Sequence, residues 1–227
     1  MDARPNTTTI DATTSMQPAI DVRTVLFTVA DGTLLIALET RHDDRRLPQG
    51  IPWPSESIDA AAKRIVRDTT GVHEQYLEQL YTLSVRDEQR WKVIISYVAL
   101  IASHQAPTLT DGAVWCDVLS LPTLSTADRL VVEYALVRLR AKLGYTNVAF
   151  HLLPETFTLT ELQSAYETIL GRPLDKRNFR RRVIASGILK STPDKRRDGS
   201  HRPAALYRFH AEHDPATYLT PTWAGDA

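Results

Sequence analysis

The sequence has a single cysteine, Cys116, which excludes an intramolecular disulfide and any zinc site built from several cysteines. Its seven histidines are mostly scattered, with no pair at the i, i+4 spacing of helical metal ligands, so a histidine-built metal centre is not expected either. No apolar run approaches the ~18–20 residues that cross a bilayer, and no membrane partner is expected. The opening MDARPNTTTIDATTSMQPAI lacks an apolar core behind a basic start, so it does not read as a secretory signal. These absences point to a soluble protein, cytoplasmic by default. What is present is ordinary for a globular chain: 227 residues, 43% hydrophobic and 24% charged, enough for one large domain or two small ones.

Charge of one sign is also lacking overall, but the zero is a sum of unlike parts. Residues 1–149 carry 15 Lys+Arg against 18 Asp+Glu, and residues 150–227 carry 12 against 9. Within 172–208 there are 12 basic residues and only Asp175, Asp194 and Asp198 on the acidic side, or +9. A basic block on a neutral chain implies a local polyanion site.

Pattern divides the chain. Residues 1–20, rich in Thr, Asp and Pro, read as a flexible tail. Val22–Val29 and Thr33–Leu38 are β-rich runs split by Ala-Asp-Gly, a hairpin signal. A polar loop is expected from Arg41 to Pro54, then a helix over Ser57–Thr70 with Gly71 at its end. Tyr76–Val85, Trp91–Ala102 and Gly112–Leu119 read as strands, and Ser125 or Thr126 caps a helix that runs to Leu143. Beyond Thr146 come a helix over Thr158–Leu170, a short basic helix over Asp175–Ser186, and two strands flanking the basic loop PDKRRDGSHRP. The expected domains are 21–144 and 147–210, with a C-terminal tail at 211–227.

Residues 47–72 read LPQGIPWPSESIDAAAKRIVRDTTGV. Gly50, Glu56, Arg64 and Gly71-Val72 fall at the spacing of the Nudix box, and Leu47-Pro48 and YLEQLYT fit on either side, so the segment resembles that family. The resemblance implies a mixed β-sheet between helices and a pocket for a nucleoside diphosphate linked to another group. Nudix chemistry needs clustered carboxylates to hold Mg²⁺, which neutralises the diphosphate and activates water. The three family glutamate positions hold Ile65, Asp68 and Thr69 here. One carboxylate is a poor Mg²⁺ site, so no catalytic residue, no metal and no required cofactor are expected. The competing reading is an active Nudix pyrophosphohydrolase with a basic nucleic-acid-binding appendage. The tryptophans Trp53, Trp91 and Trp115 read as core or pocket wall.

In LDKRNFRRRVIASGIL, Phe179, Val183 and Ile184 supply an inward side at helical spacing. Arg177, Asn178, Arg181 and Arg182 lie largely opposite, where Arg suits guanine and Asn suits adenine in the major groove. Lys176 and Arg180 are placed for phosphates. Lys195, Arg196, Arg197, His201 and Arg202 form a basic hairpin tip that would reach backbone or minor groove. Helix and hairpin together indicate double-stranded DNA as the partner.

The two parts together, through RLRAKLGYTNVAFHLLPETFTLTELQSAYETILGRPLDKRNFRRRVIASGIL and RPAALYRF, resemble the Nudix-related transcriptional regulators of NrtR type over roughly 20–209. That resemblance implies an α/β (α+β) fold: a Nudix-like sheet sandwiched by helices, then a small winged helix-turn-helix. It further implies a homodimer, associated with the nucleoid, that represses genes of NAD metabolism from a palindromic operator. ADP-ribose, or a related nucleotide or sugar, would be the effector that weakens DNA binding. Arg41, Arg45, Arg46, Arg90 and Lys92, with Glu56 and Arg64 of the box, are the effector-binding candidates. Ser125-Thr126-Ala127-Asp128-Arg129 departs from the Ala-Phe-Asp-His-Ala run of many members, as does IPWPSE after Gly50, so the pocket differs from the common one.

Overall fold

A computed structural model of the chain describes residues 18–42, 44–74, 76–86, 91–102, 104, 109–144, 146–197 and 203–210. Strand β1 (Ala19–Ala30) turns through Asp31 and Gly32 into β2 (Thr33–Arg41). Both turn residues have positive φ, 49° and 72°, as a tight hairpin that matches the strand twist requires. β1 then pairs in parallel with β6 (Trp91–Leu100), which pairs antiparallel with β5 (Tyr76–Arg86). With β3 (Asp44–Arg46), β4 (Gln49–Gly50) and β7 (Ala113–Asp117) the mixed sheet has seven strands. β1 is buried on both faces, which explains why its core reads as a continuous apolar run and not as an alternation.

Helix α1 (Ile58–Thr70) covers one face, packing Ala61, Ala62, Ile65 and Val66 on Val22, Leu26 and Tyr97. Ser57 caps its start, and Gly71, at φ 74°, ends it. Helix α2 (Thr126–Lys142), capped by Ser125, covers the other face with Val131, Val132, Ala135 and Leu139 against Val25, Phe27, Ile36 and Val98. A 3-10 helix (Val148–Leu152) then leads to α3 (Leu159–Leu170), α4 (Lys176–Ala185) and the β8–β9 hairpin (Leu189–Arg196, Ala204–Phe209). Thr158 and Glu161 form a reciprocal capping box on α3, and an isolated bridge from Phe157 to Tyr207 adds a strand-like edge to the hairpin. The fold is therefore the expected mixed α/β sandwich followed by a winged helix.

Three segments depart from the pattern expected of the sequence. The segment read as a polar loop contains β3 and β4, which are only three and two residues long and polar, and so carry no alternation signal. The 3-10 helix lies in a short apolar run between two periodic segments. β8 runs on to Arg196 through Pro193, because the register slips between Ser191 and Lys195 and frees that position from the ladder.

The core does not stop between the two parts. Leu162, Tyr166, Phe179 and Val183 belong to the same buried cluster as Val131 and Phe27. Arg140 Nε donates to the Ile169 carbonyl at 2.9 Å, and Thr168 Oγ1 to that of Gly32 at 3.2 Å. Glu78 on β5 takes Arg138 at 2.9 Å and also Lys142, both on α2. The Tyr76 ring lies 4.9 Å from that of His151, and burial holds the His151 imidazole below the ordinary histidine range. A lowered folded pKa means that neutral His151 contributes stability above its unfolded value of 6.5, and that this is lost as pH falls through the folded value. Thermal unfolding should therefore show a loss of Tm on acidification that is smaller in His151→Gln; parallel pH profiles for the two proteins would exclude this source.

Candidate nucleic-acid interface and effector site

α4 begins at Asp175, whose carboxylate accepts from the Asn178 amide at 2.7 Å. Phe179 and Val183 are buried in the module, and the Phe179 ring stands 5.3 Å from Tyr166. Ile184 does not join them: it is 56% exposed. The step from Val183 to Ile184 turns about 100° around the helix and carries the side chain off the inward line. Lys176, Arg177 and Arg181 are exposed, whereas Asn178, Arg180 and Arg182 are half-buried. Arg181 Nη2 donates to Asn178 Oδ1 at 2.9 Å, and Arg180 Nη2 to Thr160 Oγ1 at 3.0 Å. Asp175, Arg177, Asn178 and Arg181 line an open concavity of about 560 Å³.

On the hairpin, Lys195 and Arg197 are exposed. Arg196 is not at the tip as expected. It lies within β8, where its guanidinium meets Glu161 Oε1 at 2.5 Å and donates to the Thr156 carbonyl at 3.2 Å. The extension of β8 beyond Pro193 draws it inward, and its charge holds the hairpin to the start of α3. His201 and Arg202 lie outside the described residues.

In the box, Arg64 Nη2 meets Glu56 Oε1 at 2.5 Å and donates to the Ile51 carbonyl at 3.1 Å, while the Trp53 amide donates to Glu56 at 2.8 Å. Hydrogen bonding from Arg64 holds the Glu56 carboxyl below the usual carboxylate range, and Glu56 raises Arg64 in return. The pair thus braces the loop on α1. Trp53 is not part of the core: it is 58% exposed, with the Arg64 guanidinium 3.9 Å from its ring centroid. Trp91 is exposed as well, and Trp115 is half-buried against the α1-side core.

The three positions that would bear metal glutamates differ sharply. Ile65 is buried, and a Cβ built on Gly50 would stand 3.2 Å from it. Thr69 is half-buried, and its carbonyl accepts from Thr110. Asp68 is exposed beside Arg67 at 3.3 Å and Arg64 at 4.0 Å. Among the described residues no three His, Cys, Asp or Glu side chains gather in metal-binding geometry.

Arg41, Arg45, Arg46 and Lys92 stand at one end of the sheet, where β2 ends and β6 begins. Arg46 is taken up by Glu39 in a two-pronged contact at 2.8 Å, which raises its pKa, and Arg45 donates to Thr40. Arg41 is exposed and Lys92 half-buried, while Arg90 lies outside the described residues.

One buried polar cluster escaped the sequence reading. Arg23 donates Nη1 to Asp128 Oδ1 at 2.8 Å, and Nε and Nη2 to Asp21 Oδ2 at 3.1 and 3.0 Å. Asp128 is 1% exposed, and burial raises its carboxyl above the usual range, against the pull of Arg23. The spacing of Asp21 and Arg23 on one face of a strand was a visible signal; nothing local linked them to Asp128, 105 residues on.

Residues 149–209 match the model of the NrtR DNA-binding winged helix domain. The chain is 35% identical over 209 residues to the ADPR-responsive transcriptional repressor NtrR of Acinetobacter baylyi, an alignment covering 85% of this chain and 82% of the relative. A crystal structure of Shewanella oneidensis NrtR complexed with a 27mer DNA is similar at a TM-score of 0.77 and 32% identity, over 88% of this chain and 97% of that one. A MutT/nudix family protein from Enterococcus faecalis shares the fold at 0.67 and 20% identity, over 86% and 87% of the two chains.

Proposed function

Because this chain belongs to the NrtR family of transcriptional regulators, we propose that it is a DNA-binding repressor whose Nudix-like part senses ADP-ribose or a related nucleotide or sugar. The observation that carries this reading is the set of exposed basic side chains on α4, Lys176, Arg177 and Arg181, together with exposed Lys195 and Arg197 on the hairpin. Such a face offers forked donors to base edges and point charges to phosphates. Residues 21–144 form the sensing and dimerising part and 147–210 the DNA reader, flanked by tails at 1–20 and 211–227; His201 and Arg202 are further candidates for DNA contact. The protein works in the bacterial cytoplasm, on the nucleoid.

The protein acts as a homodimer. α2 leaves Leu130, Tyr134 and Val137 exposed at i, i+4 and i+7, and the Tyr134 ring lies 4.4 Å from that of Tyr81 on β5. This apolar strip supports pairing of the sensor parts, which keeps both basic faces free. Two copies about a two-fold axis read a palindrome with half-sites ~34–36 Å apart. The effector, drawn to the end of the sheet by Arg41, Arg45 and Lys92, with Arg90 a further candidate contact, releases DNA by preferring the dimer arrangement that does not fit it. Ile65 and Thr69 leave no set of carboxylates for Mg²⁺, so the sensor binds without hydrolysing.

Fluorescence anisotropy on an operator selected from random duplexes tests the proposal. Tight binding should be lost when about half a helical turn is inserted between half-sites, and should weaken on addition of ADP-ribose. Undiminished 1:1 binding to one half-site overturns the dimer. Mg²⁺-dependent release of AMP from ADP-ribose above background overturns the non-enzymatic sensor and favours the pyrophosphohydrolase.

A further inference from the structure

Ile184 is the one large aliphatic side chain that α4 leaves exposed. It sits at i+7 from Arg177 and i+3 from Arg181, and both arginines are exposed too. Taking about 100° per residue, these three side chains fall within roughly 60° of one another, on the side away from buried Phe179 and Val183. Ala185, exposed beside Ile184, adds no bulk that would hold the helix off a surface. Core packing does not account for Ile184, since 56% of it is open. Helix propensity does not either, because a β-branched residue is poorer than alanine at an exposed helical position.

We propose that Ile184 reads the 5-methyl group of a thymine in the major groove, next to the base edge met by Arg181. This rests on the reading of α4 as the DNA-contacting helix. The thymine methyl is the only apolar group that the base pairs present in that groove. An isoleucine set against any other base edge covers donors and acceptors without replacing their hydrogen bonds to water, which is unfavourable. Ile184 lies about 4.5 Å further along the helix axis than Arg181, which corresponds to one or two base-pair steps of ~3.4 Å. The side chain therefore discriminates thymine from cytosine at a position close to the base that Arg181 reads.

The experiment pairs deletion of the methyl on DNA with deletion of the side chain on protein. The operator duplex selected from random DNA is made with each thymine replaced in turn by deoxyuridine, which lacks only that methyl, and affinity is measured for the wild-type chain, Ile184→Ala and Ile184→Val. At one thymine per half-site the wild type should lose about four-fold, the factor for leaving one methyl group exposed. Ile184→Ala should bind thymine and deoxyuridine operators equally, and Ile184→Val should keep part of the difference. Affinity for random duplexes should be the same in all three proteins. If Ile184→Ala retains the wild-type deoxyuridine effect, or if no thymine matters to the wild type, the assignment is overturned while the DNA-binding reading stands. A wild-type chain that selects no sequence overturns both.

Discussion

Arg23→Met should lower the free energy of unfolding by about 3–5 kcal/mol, because it leaves the buried Asp128 carboxylate without its cation. Methionine keeps much of the arginine stem volume, so the loss measures charge compensation more than a cavity. The deficit should depend on pH in a definite sense. Asp128 already has a raised folded pKa, and removing Arg23 raises it further. A carboxyl that binds its proton more tightly when folded costs stability as pH rises from the ordinary carboxylate range through its folded value. Chemical denaturation at several pH values should show the deficit of Arg23→Met largest near neutrality and shrinking in acid. Adding Asp128→Asn should restore part of the loss at neutral pH. A deficit that does not change with pH, or that Asp128→Asn deepens, would show that Arg23 acts by packing alone.

Arg181→Ala should cost about 1–3 kcal/mol at the operator and relax the preference for one base pair in each half-site, as loss of a two-pronged guanine contact does. Its guanidinium is exposed and steadied by Asn178 Oδ1 at 2.9 Å, so part of its rotamer freedom is lost before DNA arrives. Arg197→Ala should behave differently. It should weaken specific and random duplexes alike and reduce the slope of log affinity against log salt by about 1. Equal losses on specific and random DNA for both variants would mean that Arg181 contacts phosphate and not a base edge. Arg196→Ala should act mainly on stability, since Arg196 meets Glu161 at 2.5 Å.

Much of this molecule was legible in its sequence because the relevant physics is local. Ala-Asp-Gly specified the first turn, since two successive positive φ angles suit Asp and Gly. Helix starts were marked at Ser57, at Ser125 or Thr126, at Thr158 or Thr160 and at Asp175, and in the structure Ser57, Ser125, Thr158 and Asp175 each bond an amide in their own first turn. The Gly50–Glu56–Arg64 spacing and the run from Lys176 to Arg182 placed the box and the basic helix by the same short-range logic. Other features depended on contacts between distant segments. Asp128 is bound to Arg23 across 105 residues, and a strand residue has no local pattern that announces such a partner. Arg196 was read as a free hairpin charge because its position is fixed by a register slip and by Glu161, 35 residues away. Ile184 looked like core because two neighbouring positions at helical spacing can both suit an apolar face, and only the packing of α4 on Tyr166 decided that Val183 turns inward and Ile184 outward. The sequence by itself determined the elements, their caps and the concentration of charge, all set within a few residues. Which of those charges are paired between segments and which stay exposed was decided by the tertiary structure, because pairing is a matter of distances between segments that only folding brings together.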